Sequence, residues 1–176
     1  MPTIYTIGHS TRSLPELIAA LYAHEIRTLV DIRAFPISRR LPHFNRESLE
    51  AELPKAGIAY LWKKELGGRR KKQREASPNT ALRSVSFRNY ADYMLTDDFA
   101  RAIADLLRYA AEGRTAIMCA ERVYFRCHRM LVSDYLTAQG HTVLHIDDVK
   151  PPHPHKLMPE AHLVGDKLIY GDAILF

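Results

Sequence analysis

The sequence has few cysteines and no long hydrophobic run, and these two absences narrow the classes of protein that it can encode. Two cysteines among 176 residues do not make a disulfide framework, so both are expected to be free thiols or ligands in a reducing compartment. No apolar run reaches the roughly 20 residues that a membrane span needs, and no basic stretch followed by an apolar region marks a secretory signal. We therefore expect a cytoplasmic protein without membrane contact.

What the sequence does contain is enough apolar residues for one core, together with one strongly basic segment. Hydrophobic residues make up 47% of the chain, which suits one domain of ordinary size. The basic segment, residues 63–74, holds seven lysines and arginines against one glutamate. Its net charge of +6 exceeds the +5 of the whole chain, so the remainder has a net charge of −1. Such a segment is typical either of a surface that binds a polyanion such as nucleic acid or of a solvated loop.

Short strands alternate with amphipathic helices along the first 150 residues. Ser13 and Glu16 form a predicted capping box before the first helix, and Gly140 closes the last one. The predicted strands lie in TIYTIGHS, RTLVDIRA, IAYLWKKELGG, RTAIMCA and HTVLHID. This alternation favours an α/β fold, a single domain with a mostly parallel twisted sheet covered by helices on both faces and Rossmann-like in type. We expect residues 1–150 to form this core domain and residues 151–176 to form a C-terminal extension packed on it.

Polar residues follow the predicted strands, at the sheet edge where open parallel sheets bind their ligands. Taken singly, each has an ordinary interpretation as a cap or a turn residue. Together they place a glycine-rich turn, a carboxylate, guanidinium groups and a thiol at one crevice, as an active site would. They are Gly8, His9, Ser10 and Thr11 after the first strand, Asp31 and Arg33 at the end of the second, Lys64, Gly67 and Gly68 after the third, and Cys119 and Glu121 after the fourth.

Several of these stretches resemble a known family. YTIGHSTRS, LVDIRAFPISR, LGG, FRNYADYM and MCAERVYFRCHRMLVSDYL, with HTVLHID after them, resemble the domain of unknown function 488 family (DUF 488). The resemblance runs in order from Tyr5 to about Ile146. Its most specific part pairs Thr-Ile-Gly-His-Ser with Cys-Ala-Glu and Cys-His-Arg, although the linker Val-Tyr-Phe is more apolar than the family resemblance implies. The resemblance implies an α/β fold and brings no established activity.

The segment from Cys119 to Arg129 admits more than one chemistry. The positive charges of Arg126 and Arg129, together with a helix start, favour thiolates, and the same features bind anions. Cysteine phosphatases and rhodaneses place a cysteine before an anion-binding loop of this kind. Here Arg126 stands one position beyond the Cys-x5-Arg spacing of the phosphatases, and Glu121 would repel a phosphate, so the match is weak.

Two further interpretations of the same segment stay open. A zinc site would combine Cys119, Cys127 and His128 with either His9 or His145, although structural zinc sites usually show closely paired ligands. In the simplest interpretation, Cys119 is a core residue and Cys127 is a small residue that opens a helix.

Our leading hypothesis is an enzyme that acts on a phosphate-containing substrate, either nucleic acid or nucleotide, through carboxylate, histidine and arginine side chains. Its carboxylates act as acid or base or position a divalent metal, the one cofactor class that this hypothesis admits. The predicted catalytic residues are Asp31, Glu121, His128 and Cys119. The predicted substrate-binding residues are Gly8, His9, Ser10, Thr11, Arg33, Ser38, Arg39, Cys127 and Arg129. The predicted nucleic-acid contacts are Arg69, Arg70, Lys71 and Lys72, and the aromatic residues that either stack on bases or belong to the core are Phe35, Phe44, Tyr60 and Trp62.

Two other classes compete with this hypothesis and depend on different residues. A non-catalytic nucleic-acid-binding module needs the basic segment and tolerates the loss of Glu121. A thiol-dependent enzyme, rhodanese-like or phosphatase-like, or a redox sensor needs Cys119 or Cys127 and tolerates the loss of the basic segment. Under the leading hypothesis, Cys119→Ser and Cys127→Ser retain most function, whereas Glu121→Gln and Arg129→Ala lose it.

Overall fold

Five parallel strands form the centre of the protein. The structure, a computed structural model, describes residues 1–171. The parallel strands are β1 (Thr3–Gly8), β2 (Thr28–Asp31), β3 (Ala59–Trp62), β4 (Thr115–Cys119) and β5 (Thr142–Ile146). The helices in this part of the chain are α1 (Leu14–Ala23), α2 (Arg46–Glu52), α3 (Val85–Tyr93), α4 (Asp97–Glu112) and α5 (Arg129–Ala138). The predicted α/β fold with a mostly parallel sheet is confirmed.

The strand order differs from that of the Rossmann fold. A short strand, β6 (His153–Pro154), pairs antiparallel with β5, and the complete order is β3-β2-β4-β1-β5-β6. In the Rossmann order 3-2-1-4-5-6 the first strand lies beside the second, whereas here β4 lies between them. The Rossmann-like part of the prediction is therefore not confirmed. Because β4 pairs with both β1 and β2, Cys119 at its end lies beside Gly8 at the end of β1.

The side chains of the strands alternate between two cores, one on each face of the sheet. On β4, Ile117 and Cys119 pack in the core beneath α3, α4 and α5. Ala116 and Met118 pack in the other core, beneath α1 and α2. This period of two follows from the pleat of a β-strand. Helices cover both faces, as the sequence predicts.

Local sequence signals set the helix boundaries. The Ser13 hydroxyl accepts the N–H of Glu16 at 3.2 Å, and the Glu16 carboxylate accepts the N–H of Ser13 at 2.9 Å, so the predicted capping box is present. Cys127, which would open a helix in the simplest interpretation of the sequence, is extended, with φ −139° and ψ 171°, so α5 begins two residues later, at Arg129. Gly140 follows α5 with a φ of 95°, a left-handed conformation that favours glycine.

The described part of the C-terminal tail contacts the same sheet and core. Beyond β6, the strands β7 (Ala161–Val164) and β8 (Lys167–Tyr170) form an antiparallel hairpin, and the Gly-Asp pair at residues 165–166, a sequence typical of a turn, connects them. Leu168 and Tyr170 are buried in the core beneath α3, α4 and α5. A second Gly-Asp pair, Gly171 and Asp172, also predicts a turn, and this turn extends beyond the described residues. None of the helices described is long and apolar enough to cross a membrane.

Candidate functional site

A cleft of about 360 Å³ opens at the carboxyl ends of β2 and β4, next to the start of α5. The segments that follow β2 and β4 form most of its wall, and the basic segment and the start of α3 complete it. This is the sheet edge at which the sequence predicts a ligand site. The lining residues are Arg33, Ala34, Phe35, Ile37, Gly68, Arg69, Ser86, Phe87, Cys119, Ala120, Glu121, Arg126, Cys127 and His128.

Arg33 is held in one position by a buried ion pair with Asp31. Its Nε lies 2.9 Å from Asp31 Oδ1 and its Nη2 lies 2.6 Å from Oδ2. Nη2 also donates to the carbonyl oxygen of Phe44, and the Tyr60 hydroxyl donates to Asp31 Oδ2. Burial lowers the pKa of Arg33, but the hydrogen bonds and negative charge of Asp31 outweigh burial and raise that pKa. Asp31 is fully buried and lies outside the cleft lining, where its carboxylate neutralises Arg33.

His9 supports Arg33 from behind the cleft. Its Nε2 lies 3.3 Å from Arg33 Nη1, its Nδ1 lies 2.8 Å from the carbonyl oxygen of Ser10, and its ring packs on Phe44. Arginine donates and a carbonyl oxygen accepts, so this arrangement requires neutral His9 with its proton on Nδ1. Burial lowers the pKa of His9 to about 4, which keeps the ring neutral near pH 7. His9 is at the predicted sheet edge but does not line the cleft.

Gly8 lets the chain after β4 pass against the end of β1. A Cβ atom at Gly8 would lie 1.8 Å from the carbonyl oxygen of Glu121. The next two residues, 9 and 10, donate their N–H groups to the carbonyl oxygens of residues 119 and 120, each at 2.9 Å. The turn predicted to bind phosphate thus holds the β4 segment through two of its N–H groups, and Thr11 is exposed outside the cleft lining.

His128 is buried in the cleft wall and joins neighbouring segments. Its Nε2 donates to the carbonyl oxygen of Ile32 at 2.8 Å, and its ring packs edge-on against Tyr90 at 5.0 Å. A Cβ atom at Gly68 would lie 2.4 Å from His128 Nδ1, so glycine is needed there for the basic segment to approach. Burial lowers the pKa of His128 to about 4. A neutral, enclosed ring suits a positioning role better than proton exchange with a substrate.

The two cysteines lie side by side in the cleft wall. Their Sγ atoms are 2.9 Å apart, and the N–H of Arg129 donates to Cys127 Sγ at 3.3 Å. The hydrogen bond from the Cys127 thiol, opposed by burial and assisted by the positive charge of Arg129, lowers the pKa of Cys119. The same hydrogen bond, together with burial, raises the pKa of Cys127. Of the two thiols, Cys119 is therefore the one that ionises more readily.

Arg129 is buried behind the cysteines and has no carboxylate partner within residues 1–171. It is 1% exposed, and its Nη2 donates to the carbonyl oxygen of Arg122 at 2.9 Å. Its Nε and Nη1 have no hydrogen-bond partner in the described chain. It borders a separate cavity of about 180 Å³ beside Tyr124 and His145. Arg129 is thus absent from the cleft lining, although the sequence predicts it as a substrate-binding residue.

Three exposed charged side chains, Arg69, Glu121 and Arg126, form what we call the rim of the cleft. None of them takes part in an ion pair within the described chain. The guanidinium of Arg69 lies 5.5 Å from the centre of the Phe35 ring. The rim therefore presents two cations, one carboxylate and an aromatic surface to a ligand.

The basic segment divides into residues that stabilise the protein and residues that face solvent. The Arg70 guanidinium lies 3.8 Å from the centre of the Tyr93 ring and donates to two carbonyl oxygens of the basic segment itself. Lys71 and Lys72 are exposed, and Lys72 forms an exposed ion pair with Glu75 at 3.2 Å. Of the four predicted nucleic-acid contacts, Arg70 is therefore already engaged, and Arg69 alone lines the cleft.

The loop before α2 is held together by the predicted contact residue Ser38. The N–H of Ser38 donates to the Asn45 side chain at 2.6 Å, and its hydroxyl accepts the N–H of Leu41 at 3.1 Å. Asn45 therefore bonds to this loop and not to a free N–H of α2, although asparagine just before a helix is typical of a cap. Arg39 is exposed but lies outside the cleft lining.

The structure brings together some of the predicted site residues and separates others. Those that line the cleft are Arg33, Arg69, Cys119, Glu121, Cys127 and His128. Those that do not are Asp31, Gly8, His9, Ser10, Thr11, Ser38, Arg39, Arg129, Arg70, Lys71 and Lys72. Of the four aromatic residues considered for stacking, Phe35 lines the cleft, whereas Phe44 is buried in the core. The functional roles of all these residues stay predictions.

Six lining residues were not among the predicted site residues, and three of them, Arg126, Ser86 and Phe87, carry a charged, hydroxyl or aromatic side chain. Arg126 carries a positive charge beside Cys127, and its position between two predicted elements is the signal that could have placed it at the cleft. Ser86 and Phe87 lie at the start of α3, and no strand end precedes them in the sequence. Only the packing of α3 against the sheet and α5 brings them to the cleft.

Within residues 1–171, no group of three or more histidine, cysteine, aspartate or glutamate side chains is placed to hold a metal ion. Cys119 and Cys127 are adjacent, but His128 is bonded to the carbonyl oxygen of Ile32. His145 is hydrogen bonded to the Thr6 hydroxyl and to His155. The zinc alternative therefore has no set of ligands in this part of the chain.

Comparison with known proteins gives a family but no activity. The family model described as "Domain of unknown function DUF488" matches residues 13–136. No curated protein and no solved structure shows a significant match to the chain.

Proposed function

The chain belongs to the DUF488 family, and from the cleft we propose that it is an enzyme acting on a phosphate-containing substrate, either a nucleotide or a nucleic acid. The observation that carries the proposal is the charge of the cleft lining. Arg33, Arg69 and Arg126 line it together with one carboxylate, Glu121, and Asp31 behind the cleft neutralises Arg33, so the positive charge of the lining comes from Arg69 and Arg126. Arginine donates paired hydrogen bonds that match the geometry of phosphate oxygens.

The three arginines differ in how they are held, and this suits a binding site. Arg33 is fixed by Asp31 and Phe44, so little conformational entropy is lost when it meets a ligand. Arg69 and Arg126 are exposed and can adjust to the ligand. A phosphate group would thus meet one preorganised guanidinium and two exposed ones.

Glu121 is the carboxylate placed to exchange a proton with a bound substrate. It is exposed, lines the cleft, and follows β4 directly after Ala120. A carboxylate that acts as general acid or base contributes roughly 10²–10⁴-fold to a rate. Asp31 and His128, in contrast, are committed to hydrogen bonds within the protein.

The surroundings of the cleft favour a nucleic acid over a mononucleotide. Phe35 is 65% exposed at the cleft and offers a face on which a base can stack. Lys71 and Lys72, which follow Arg69 along the chain, extend the positive surface away from the cleft. A strand bound at the cleft would continue across these lysines.

Binding of a 5′-phosphorylated single-stranded oligodeoxynucleotide, measured by fluorescence anisotropy, tests this proposal. Arg126→Gln is expected to weaken binding by about 10-fold or more, since hydrogen bonds to charged groups contribute about 1.5–3 kcal/mol. The matched control is Arg108→Gln, an exposed arginine on α4, which is expected to bind as the wild type does. Equal affinities of the wild type and Arg126→Gln would contradict the proposal.

A non-catalytic nucleic-acid-binding module is the second candidate function. The observation that favours it is the engagement of Asp31 and His128, two of the predicted catalytic residues, in buried hydrogen bonds. The variant Glu121→Gln separates the two candidates in a gel assay for cleavage or dephosphorylation of the oligonucleotide. An enzyme loses turnover and keeps binding in this variant, whereas a binding module shows no turnover in the wild type either.

A further inference from the structure

The two cysteines of the chain lie side by side in the cleft wall, and the proposed phosphate chemistry does not use them. Cys119 ends β4 and Cys127 precedes α5, and their Sγ atoms are 2.9 Å apart. A disulfide has an S–S distance of about 2.04 Å, so bond formation requires the sulfurs to approach by roughly 0.9 Å. The fold therefore places this thiol pair where a disulfide can form with little movement.

The buried charge of Arg129 stabilises a negative charge on the thiol pair. A buried guanidinium without a carboxylate is costly unless another negative group compensates it. Arg129 is 1% exposed, and within residues 1–171 its Nε and Nη1 have no partner. Its backbone N–H donates to Cys127 Sγ. A thiolate on Cys119 or Cys127 would compensate this charge.

We infer that Cys119 and Cys127 form a dithiol site that exchanges with small disulfides carrying negative charge. The thiol pair lines the same cleft as Arg69 and Arg126, which have no ion-pair partner in the described chain, so an anionic disulfide is attracted to it. This activity does not depend on the proposed phosphate chemistry, because it uses the sulfur atoms and neither Glu121 nor a phosphate group.

The difference in exposure sets the order of the two steps. Cys119 is 3% exposed, whereas Cys127 is partly exposed, so the incoming disulfide meets Cys127. The Cys127 sulfur attacks one sulfur of the disulfide, its proton passes to the Cys119 thiolate, and one thiolate leaves. The leaving thiolate then takes that proton from Cys119. The Cys119 thiolate attacks the Cys127 sulfur of the mixed disulfide and releases the second thiolate.

The balance of the reaction is that of a two-electron exchange. Cys119 and Cys127 are oxidised to one disulfide, and the small disulfide is reduced to two thiols. The pair brings one proton and one negative charge, and the products leave as one thiol and one thiolate. No other oxidant is needed.

Exchange of the reduced full-length protein with glutathione disulfide tests this inference by intact-mass spectrometry. The wild type is expected to lose two hydrogen atoms and to carry no glutathione. Cys119→Ser is expected to accumulate one glutathione on Cys127, because the resolving thiol is missing. Cys127→Ser is expected to react at least about 10-fold more slowly, because the remaining thiol is buried.

The charge preference is tested with cystamine, a cationic disulfide of similar reactivity. The wild type is expected to react about 10-fold faster with glutathione disulfide, and Arg126→Gln is expected to reduce this ratio. Arg108→Gln is the matched control and should leave the ratio unchanged. Arg129→Met is expected to shift the pH midpoint of exchange upward, which a purely structural arginine would not do.

Two results would overturn the inference. One is a wild-type protein that keeps glutathione on Cys127, since Cys119 would then not resolve the mixed disulfide. The other is an equal reaction rate with the anionic and the cationic disulfide. Oligonucleotide binding by Cys119→Ser and Cys127→Ser is measured in parallel. If both variants bind the oligonucleotide as the wild type does, failure of the disulfide exchange does not count against the proposed phosphate chemistry.

Discussion

The polar residues at the cleft fall into two groups, one enclosed within the protein and one exposed to solvent. The enclosed group, which we call the floor, consists of Asp31, His9 and His128, and Asp31 and His9 hold the cleft-lining Arg33 in place. Each floor side chain is bonded to other parts of the protein. The rim, in contrast, is exposed and without ion pairs in the described chain.

This difference shows how the fold separates positioning from binding. Residues bonded within the protein have few free donors or acceptors for a ligand, and changes to them are expected to alter stability. Rim residues meet solvent, and changes to them are expected to alter binding. The predictions below substitute residues in these regions and measure stability or binding.

Asp31→Asn, a substitution in the floor, is expected to cause the largest loss in the free energy of unfolding. This change removes the negative partner of buried Arg33 and weakens the hydrogen bond with Tyr60. Breaking a buried ion pair costs about 3–5 kcal/mol, because the remaining charge is left without compensation. Urea unfolding followed by circular dichroism measures the loss in the free energy of unfolding. Glu50→Gln, which breaks an exposed ion pair with Arg46, is the control and is expected to cost far less.

Gly8→Ala is expected to have the next largest effect. The new Cβ atom would lie 1.8 Å from the carbonyl oxygen of Glu121, so the chain after β4 must move. Overpacking of this kind costs about 1–3 kcal/mol. Gly113→Ala provides the comparison, because there the nearest atom would lie 3.6 Å away. Equal free energies of unfolding for the two variants would show that the Gly8 contact is not required.

The floor histidines are expected to make stability depend on pH. Burial lowers the pKa of both His9 and His128 to about 4, whereas an unfolded histidine titrates near about 6.5. As pH falls from 6.5 towards 4, the unfolded chain gains protons that the folded protein does not, so the free energy of unfolding decreases. Below about 4 this decrease ends.

The size of this effect is about 2 kcal/mol per histidine between pH 7 and pH 5. Urea unfolding at both pH values measures this decrease in the free energy of unfolding. In His128→Gln the decrease is expected to be smaller by the contribution of one histidine. If the stability of His128→Gln depends on pH as strongly as that of the wild type, His128 does not contribute to the pH dependence.

The sequence alone predicts the strands and helices better than the site. Alternating strands and helices favoured a mostly parallel sheet, and the capping box of Ser13 and Glu16 marked the start of α1 correctly. The position of β4 between β1 and β2 was not predicted, because pairing between distant strands leaves no local signal. Adjacency to a strand end predicted Arg33, Cys119 and Glu121 in the cleft.

The same rule could not separate a floor residue from a ligand-binding residue. Asp31 and Arg33 are two positions apart on the chain, yet one lies behind the cleft and the other lines it. That distinction depends on Tyr60 and Phe44, which reach Asp31 and Arg33 from other segments. Contacts of this kind are tertiary and carry no sequence motif.

The smallest effect is expected from the lysines beyond the rim. Lys71→Gln combined with Lys72→Gln should reduce the salt dependence of oligonucleotide binding by about 0.7 per lysine in the slope of log K against log salt. Both side chains are exposed, and neither lines the cleft. Titrations at several salt concentrations measure the slope. An unchanged slope would make the basic segment a solvated loop.

The most direct test of the central claim is a crystal structure of the protein with the 5′-phosphorylated oligodeoxynucleotide. The account predicts a phosphate group in the cleft, within hydrogen-bond distance of Arg33 and of at least one of Arg69 and Arg126. It also predicts that Asp31, His9 and His128 keep their present partners. A phosphate bound only to Lys71 and Lys72, with the cleft arginines uninvolved, would contradict it.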